Sequence, residues 1–145
     1  PDEVKALLAS GEDTEYDGEL LVAANYRNDS IPERSIIISG DTAEQAIDSG
    51  CDLLIHEATF LESHKDIANE HLHSTAAGAA RTAIECGAKH LALTHYSARL
   101  DSHDASLSEA REIHASVVAL GDGDRLVLAD DLSLNHLTKQ AEGWA

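Results

Sequence analysis

Short runs of branched apolar residues, each broken off by a residue able to bind metal or move a proton, constrain this chain more than any other feature. "SIIISGD", "CDLLIHE", "KHLALTH" and "RLVLAD" end on Asp41, on His56 with Glu57, on His95 and on Asp130. Runs this short and this rich in Ile, Leu and Val predict buried strands. Helix-period segments lie between them. Thr42 with Gln45 predicts a capping box that opens a short helix over "AEQAIDSG", stopped by Gly50. A polar helix is predicted over "LESHKDIANEH", and an alanine-rich one over "STAAGAARTAIECG", starting at Ser74 and Thr75 and ending at Gly87. Ser106 with Glu109 predicts a second capping box for a helix through "LSEAREIHASVVALG", whose apolar residues are core contacts. "ELLVAANY" and "LSLNHL" predict two further strands, and "SGEDTEYDGE" a turn-rich surface segment. The alternation predicts an α/β domain, helices packed on a mixed sheet.

In such sheets the carboxyl edge of parallel strands is where ligands bind, so Asp41, His56, Glu57, His95 and Asp130 are candidates to line one edge. Carboxylate with imidazole suits zinc or manganese better than calcium, which prefers oxygen alone. "HLHST" adds His73 before Ser74 and Thr75 at a predicted helix start, where free backbone N–H groups favour a phosphate. Each feature also has an ordinary reading. An Asp after a strand forms turns, Ser74 can be a plain N-cap, and His73 a solvated loop residue. His64, His71, His90, His103, His114 and His136 show no ligand spacing and are read as surface or structural.

The 145 residues fit one domain with a core of its own. No apolar run approaches the roughly 20 residues that span a bilayer. "PDEVKALLAS" lacks the basic and apolar regions of a signal peptide, so the expectation is a cytoplasmic protein without a membrane partner. Cys51 and Cys86 make no CxxC pair and are read as reduced and structural. The net charge of -17 comes from 27 acidic against 10 basic residues, of which four are lysines. An acidic, lysine-poor globular chain suggests adaptation to high salt, which leaves little of any nucleic-acid affinity to counterion release. An acidic protein of moderate salt with a non-nucleic partner is the alternative.

Taken together, "SGDT", "DLLIHEATF", "HST" and "LTHYSARL" resemble the carboxyl-terminal half of tRNase Z, a zinc-dependent endonuclease of the metallo-β-lactamase fold. The likeness covers residues 35–145, with 1–34 matching loosely. It implies half of an αββα sandwich and a site in which Asp41 and His95 ligate Zn2+, with Mn2+ possible. It further implies that His73 contacts or protonates at the scissile phosphate and that Glu57 supports it. His56, Thr42 and Thr59 are then structural or orient the ligands from behind, and Ser74 and Thr75 face the phosphate. The implied substrate is a tRNA precursor. The family's remaining ligands sit in an HxHxDH motif that this sequence does not contain. Metal binding by the chain alone is therefore expected to be weak or absent. A second copy of the chain, or a separate amino-terminal half, is the expected partner. Two readings compete: another hydrolase of the same fold, and a non-catalytic half-fold that serves binding or assembly.

The charge yields a first prediction. Self-repulsion is screened over about 3 Å at 1 M salt but over about 10 Å at 0.1 M. The thermal midpoint should therefore rise steeply with salt, and a melt unchanged between these conditions contradicts the high-salt reading.

Overall fold

Three of the four short apolar runs become neighbours in one parallel sheet, and the fourth does not. The computed structural model describes residues 1–26 and 33–145. They fall into two compact units, Pro1–Glu33 and Arg34–Ala145. The first carries helix α1 (Asp2–Ser10) and a hairpin of β1 (Thr14–Tyr16) with β2 (Glu19–Leu21), joined through Asp17 and Gly18, both at positive φ. Asp-Gly between short strands is a strong hairpin signal. The segment read as turn-rich thus holds the turn of a paired hairpin, with Thr14–Tyr16 and Glu19 in its strands.

The second unit contains β3 (Ile36–Ile38), β4 (Leu53–Glu57), α2 (Lys65–Glu70), α3 (Ala76–Glu85), β5 (His90–Thr94), α4 (Asp104–Arg111) and β6 (Val117–Ala119). The parallel sheet has the order β3-β4-β5-β6. Antiparallel pairing is confined to separate two-stranded ribbons, β7 (Arg125–Leu128) with β8 (Leu134–Leu137) and β9 (Lys139–Gln140) with β10 (Gly143–Trp144). Leu54, Leu91 and Leu93 form the sheet's buried face against Ala76, Ala79, Ala80 and Ala83 of α3. Those four alanines are fully buried. Alanine here lets the helix axis approach the leucines closely, and larger side chains would overpack the layer.

Several sequence expectations need correction. No helix forms over 43–50. Gln45 Nε2 does donate to Thr42 Oγ1 at 2.8 Å, but Glu44 is drawn to Arg81 and the backbone is used by tertiary bonds instead. The helix begun at Asp104 stops at Arg111, and "VVA" is strand β6, so those residues are core but in a strand. The buried His114 ring bridges Ala88 O and Ser116 at this break. Ser106 lies inside α4 rather than at its cap. "RLVLAD" has no crossover helix before the next strand, so β7 turns back as a hairpin, since parallel pairing needs a long connection. Asp130 consequently pairs with Arg34, which precedes β3 at the sheet's amino edge, and is excluded from the candidate site. Cys51 and Cys86 are buried and free, and burial pushes the Cys51 thiol up to about 11.

Glu109 reaches from α4 to accept backbone N–H groups of Glu62 at 2.9 Å and of Ala77 at 3.0 Å. One carboxylate thereby ties α4 to the start of α3 and to the turn before α2. Glu109→Ala should destabilise the fold by about 2 kcal/mol, because two donors lose their acceptor. Glu109→Gln should lose less. Urea unfolding of both variants in molar salt measures this, and equal stability of Glu109→Ala and the parent contradicts it.

Candidate metal and phosphate site

The residues "HEATF" continue β4 past the end of the sheet and hold a histidine segment on each side. On one side Ala58 N donates to Thr94 O at 2.8 Å, and Ser97 N to Thr59 O at 3.1 Å. On the other, Phe60 N donates to Ser74 O and Ala76 N to Phe60 O. Strand alternation then points Glu57 and Thr59 to one face, between His73 and His95. The turns that deliver the side chains are left-handed: Gly40 (φ 62) before Asp41, Leu72 (φ 58) before His73, and His95 itself (φ 53). A branched leucine at such a φ is strained by about 1 kcal/mol, which the surrounding bonds must offset.

Glu57 is buried and saturated. Its Oε1 accepts from Thr42 N at 2.8 Å and from His73 Nδ1 at 2.7 Å, and its Oε2 accepts from Thr59 Oγ1 at 2.6 Å and Thr59 N at 3.3 Å. Burial alone pushes this carboxyl up, but the bonds from Thr59, His73 and the backbone outweigh it and hold Glu57 below the usual carboxylate range. The carboxylate fixes the proton of His73 on Nδ1 and leaves Nε2 as the ring's outward atom. Thr59 spends its proton on Glu57, so its oxygen accepts from His95 Nδ1 at 2.9 Å. The lone pair of His95 Nε2 then faces Asp41 Oδ1 at 3.5 Å. The two imidazoles stack with centroids 5.4 Å apart.

Two exposed acceptors facing each other can share a cation, a proton or a bridging water. Two ligand bonds of about 2.1 Å at a tetrahedral angle set donor atoms about 3.4 Å apart. The Asp41–His95 spacing of 3.5 Å fits that requirement for zinc or a similar ion. Glu57, His73 and His95 also bring one ligand atom each within 4.8 Å of one another. Glu57 is the poorer ligand of these, because four donors already occupy its oxygens.

His56 is fully buried, its Nδ1 is 2.8 Å from Glu57 O, and burial lowers its pKa, so it braces the Glu57 backbone as a neutral ring. Thr42 contributes its backbone N–H rather than its hydroxyl to Glu57. The hydroxyls of Ser74 and Thr75, expected to face a phosphate, are engaged within the protein. Ser74 Oγ donates to Thr42 O, while Thr75 Oγ1 donates to Glu62 and accepts from Gly78 N. Ala76 N and Ala77 N bond Phe60 O and Glu109. The first turn of α3 is thus filled by protein acceptors. Sequence reasoning gave Glu109 a local capping role and missed the Glu44–Arg81–Glu62 cluster, while together these residues fix this helix start and the 41–50 segment. Their partners lie tens of residues away, and no local spacing signals them.

Ribonuclease Z from Brevibacillus brevis is 36% identical over 95% of this chain. The enzyme of that name from Haloferax volcanii is 35% identical over 94%. The chain resembles ribonuclease Z throughout. The likeness extends into residues 1–34 as well as the motif-bearing segment. The chain spans 44% and 43% of the length of these two relatives. A metallo-β-lactamase fold protein from Bacillus subtilis superposes with a TM-score of 0.53 at 27% identity, over 59% of this chain and 36% of that one. The fold is therefore of the metallo-β-lactamase kind. The short form of human tRNase Z aligns at TM-score 0.47 and 35% identity, over 61% of this chain and 31% of that one. No protein-family model matches the chain.

The hydrogen-bond pattern predicts the tautomers. In the neutral rings of the metal-free protein, long-range proton–nitrogen spectra should show His73 and His95 with the proton on Nδ1. Glu57→Gln should disturb His73, and an Nε2–H tautomer at His95 contradicts the arrangement.

Proposed function

We propose that the chain supplies half of a metal-dependent RNA phosphodiesterase site of the ribonuclease Z type, acting at the 3′ end of tRNA precursors. The observation that carries the reading is the pair of facing acceptors, Asp41 Oδ1 and His95 Nε2, beside a carboxylate-held His73. Similarity to ribonucleases Z over nearly the whole chain supports the substrate class. Asp41 and His95 would hold the ion, zinc first and manganese second. When bound, such an ion activates water and neutralises charge on the phosphoryl oxygens.

His73, its Nδ1 fixed on Glu57, presents Nε2 to the phosphate and delivers a proton to the leaving oxygen. Glu57 stabilises the protonated ring before transfer, and Thr59 keeps Glu57 and His95 in register. Asp41 and His95 are two ligands where a catalytic site holds about three protein ligands, so the remaining ligands come from another polypeptide segment. Ile36 and Ile38, 54% and 69% exposed on edge strand β3, support a partner surface there, either a second copy or a separate amino-terminal half. The acidity supports a cytoplasm of high salt as the working environment.

The chain alone should not cleave a tRNA precursor. Supplied with a segment that completes the ligand set, it should do so, and Asp41→Asn, His95→Ala and His73→Ala should each reduce cleavage by at least about a hundredfold. Chelation-sensitive cleavage by the unaccompanied chain overturns the half-site reading, and full activity of His73→Ala overturns its role as proton donor.

A further inference from the structure

A groove of about 530 Å³ leads away from His95, lined by Tyr96, His103 and the turn Gly121–Gly123. Its aromatic wall is rigid. The Tyr96 and His103 rings stack with centroids 3.9 Å apart, and the Tyr96 hydroxyl donates to Leu93 O and accepts from Leu120 N. Against the Gly121–Gly123 turn of the groove packs a cluster that the site does not use. Trp144 Nε1 donates to Gly123 O at 2.9 Å, and the ring is 44% exposed. Arg125 Cζ lies 4.1 Å and Lys139 Nζ 4.4 Å from its centroid.

Arg125 and Lys139 are two of four described basic residues, with Arg99 and Arg111, that pair with no carboxylate, and they are the two held on an aromatic face. Arg34, Lys65, Arg81 and Lys89 are all ion-paired to carboxylates. Among the described residues neither Arg125 nor Lys139 has a carboxylate within pairing distance. Asp124, between Gly123 and Arg125, is committed elsewhere: it accepts from Gly121 N, Lys139 N and His136 Nε2. Asp122 is exposed at the groove rim and repels a backbone phosphate, which leaves the Trp144 side as the place for one. Cation–π contact holds both side chains without neutralising them. Stacking surface at one end and fixed positive charge at the other is the equipment for single-stranded nucleic acid.

We propose that this groove carries the single-stranded RNA that continues from the scissile phosphate, with a base against the Tyr96–His103 wall and a backbone phosphate on Arg125 and Lys139, held by Trp144. The proposal rests on the phosphodiesterase reading of the His95 site, and its test separates the two. Anisotropy of a short labelled oligoadenylate should report binding by the chain at several salt concentrations. Arg125→Gln with Lys139→Gln should weaken it roughly tenfold and lower the slope of log affinity against log salt by about 1.4, as for two phosphates of a single strand. Trp144→Leu should weaken it too, and RNA should quench Trp144 emission in the parent. Circular dichroism confirms that each variant is folded. Unchanged affinity and slope in the double variant, no binding by the parent, or equal competition by polyglutamate overturns the groove. Zinc titration of the same variants, each supplied with a segment that completes the ligand set, reads the other claim: affinity should fall in Asp41→Asn and His95→Ala and stay unchanged in the groove variants. Zinc affinity indifferent to Asp41 and His95 overturns the phosphodiesterase reading whatever the RNA result, and RNA affinity indifferent to Arg125 and Lys139 overturns the groove whatever the zinc result.

Discussion

The site is organised around a buried negative charge. Glu57 has 1% of its surface exposed, and an unpaired carboxylate in that position would cost several kcal/mol. Four donors remove the penalty, and they come from three chain segments outside β4: Thr42 after β3, Thr59 in the strand's extension, and His73 before α3. Each bond to a charged group contributes about 1.5–3 kcal/mol, so the loops have a strong reason to sit where they do. The positions of Asp41, His73 and His95 follow from satisfying Glu57 and its neighbour Thr59. The arrangement is therefore built by the chain's own hydrogen bonds, which is the condition for strained turns at Leu72 and His95 to persist.

A second layer keeps that arrangement from relaxing. Arg81 of α3 binds Glu44 and Glu62 together, tying the irregular 41–50 segment to the helix that follows His73. Glu109 closes the same helix from α4. Glu62 is the meeting point: burial raises its carboxyl, yet Thr75, Arg81 and Lys65 bring it down to about 2. At neutral pH Glu44, Glu62 and Arg81 stay ionised, so the tie between them persists. Positioning of His73 is thus distributed over α3 and α4, both distant from its own turn.

Legibility in the sequence tracks the range of the deciding interaction. Strands β3, β4 and β5 and the helix after Thr75 are decided by local composition and capping, and Thr75 Oγ1 does accept from Gly78 N. The sheet edge was therefore readable, and with it the neighbourhood of Asp41, Glu57 and His95. Where distant partners decide, local patterns misled. Thr42 and Gln45 make a side-chain contact of capping type, but Arg81 and Thr82 claim the segment and no helix follows. Glu109 has capping-box spacing to Ser106 yet caps two other elements. Asp130 looked like its counterparts at strand ends, and only the hairpin return of β8 removes it from the edge. Ser74 and Thr75 mark a helix start correctly, but burial turns their hydroxyls inward.

The charge distribution has a consequence for how such a protein can hold an anionic polymer. With a net charge of -17, long-range attraction to RNA is absent, and in concentrated salt it would be screened for any protein. Affinity for such a polymer would then rest on stacking, which salt weakens little, and on a few cations held in place beforehand, whose phosphate contacts stay salt-dependent. An exposed lysine on a flexible stem loses rotamer entropy on binding a phosphate, whereas one packed on an indole has lost part of it already. Arg125 and Lys139 on Trp144 meet that condition, while Lys89 and Arg34 are consumed by Asp52 and Asp130 within the fold. The acidic surface and the few fixed cations are then two sides of one arrangement, in which binding strength depends on geometry at a few points rather than on the sum of surface charge.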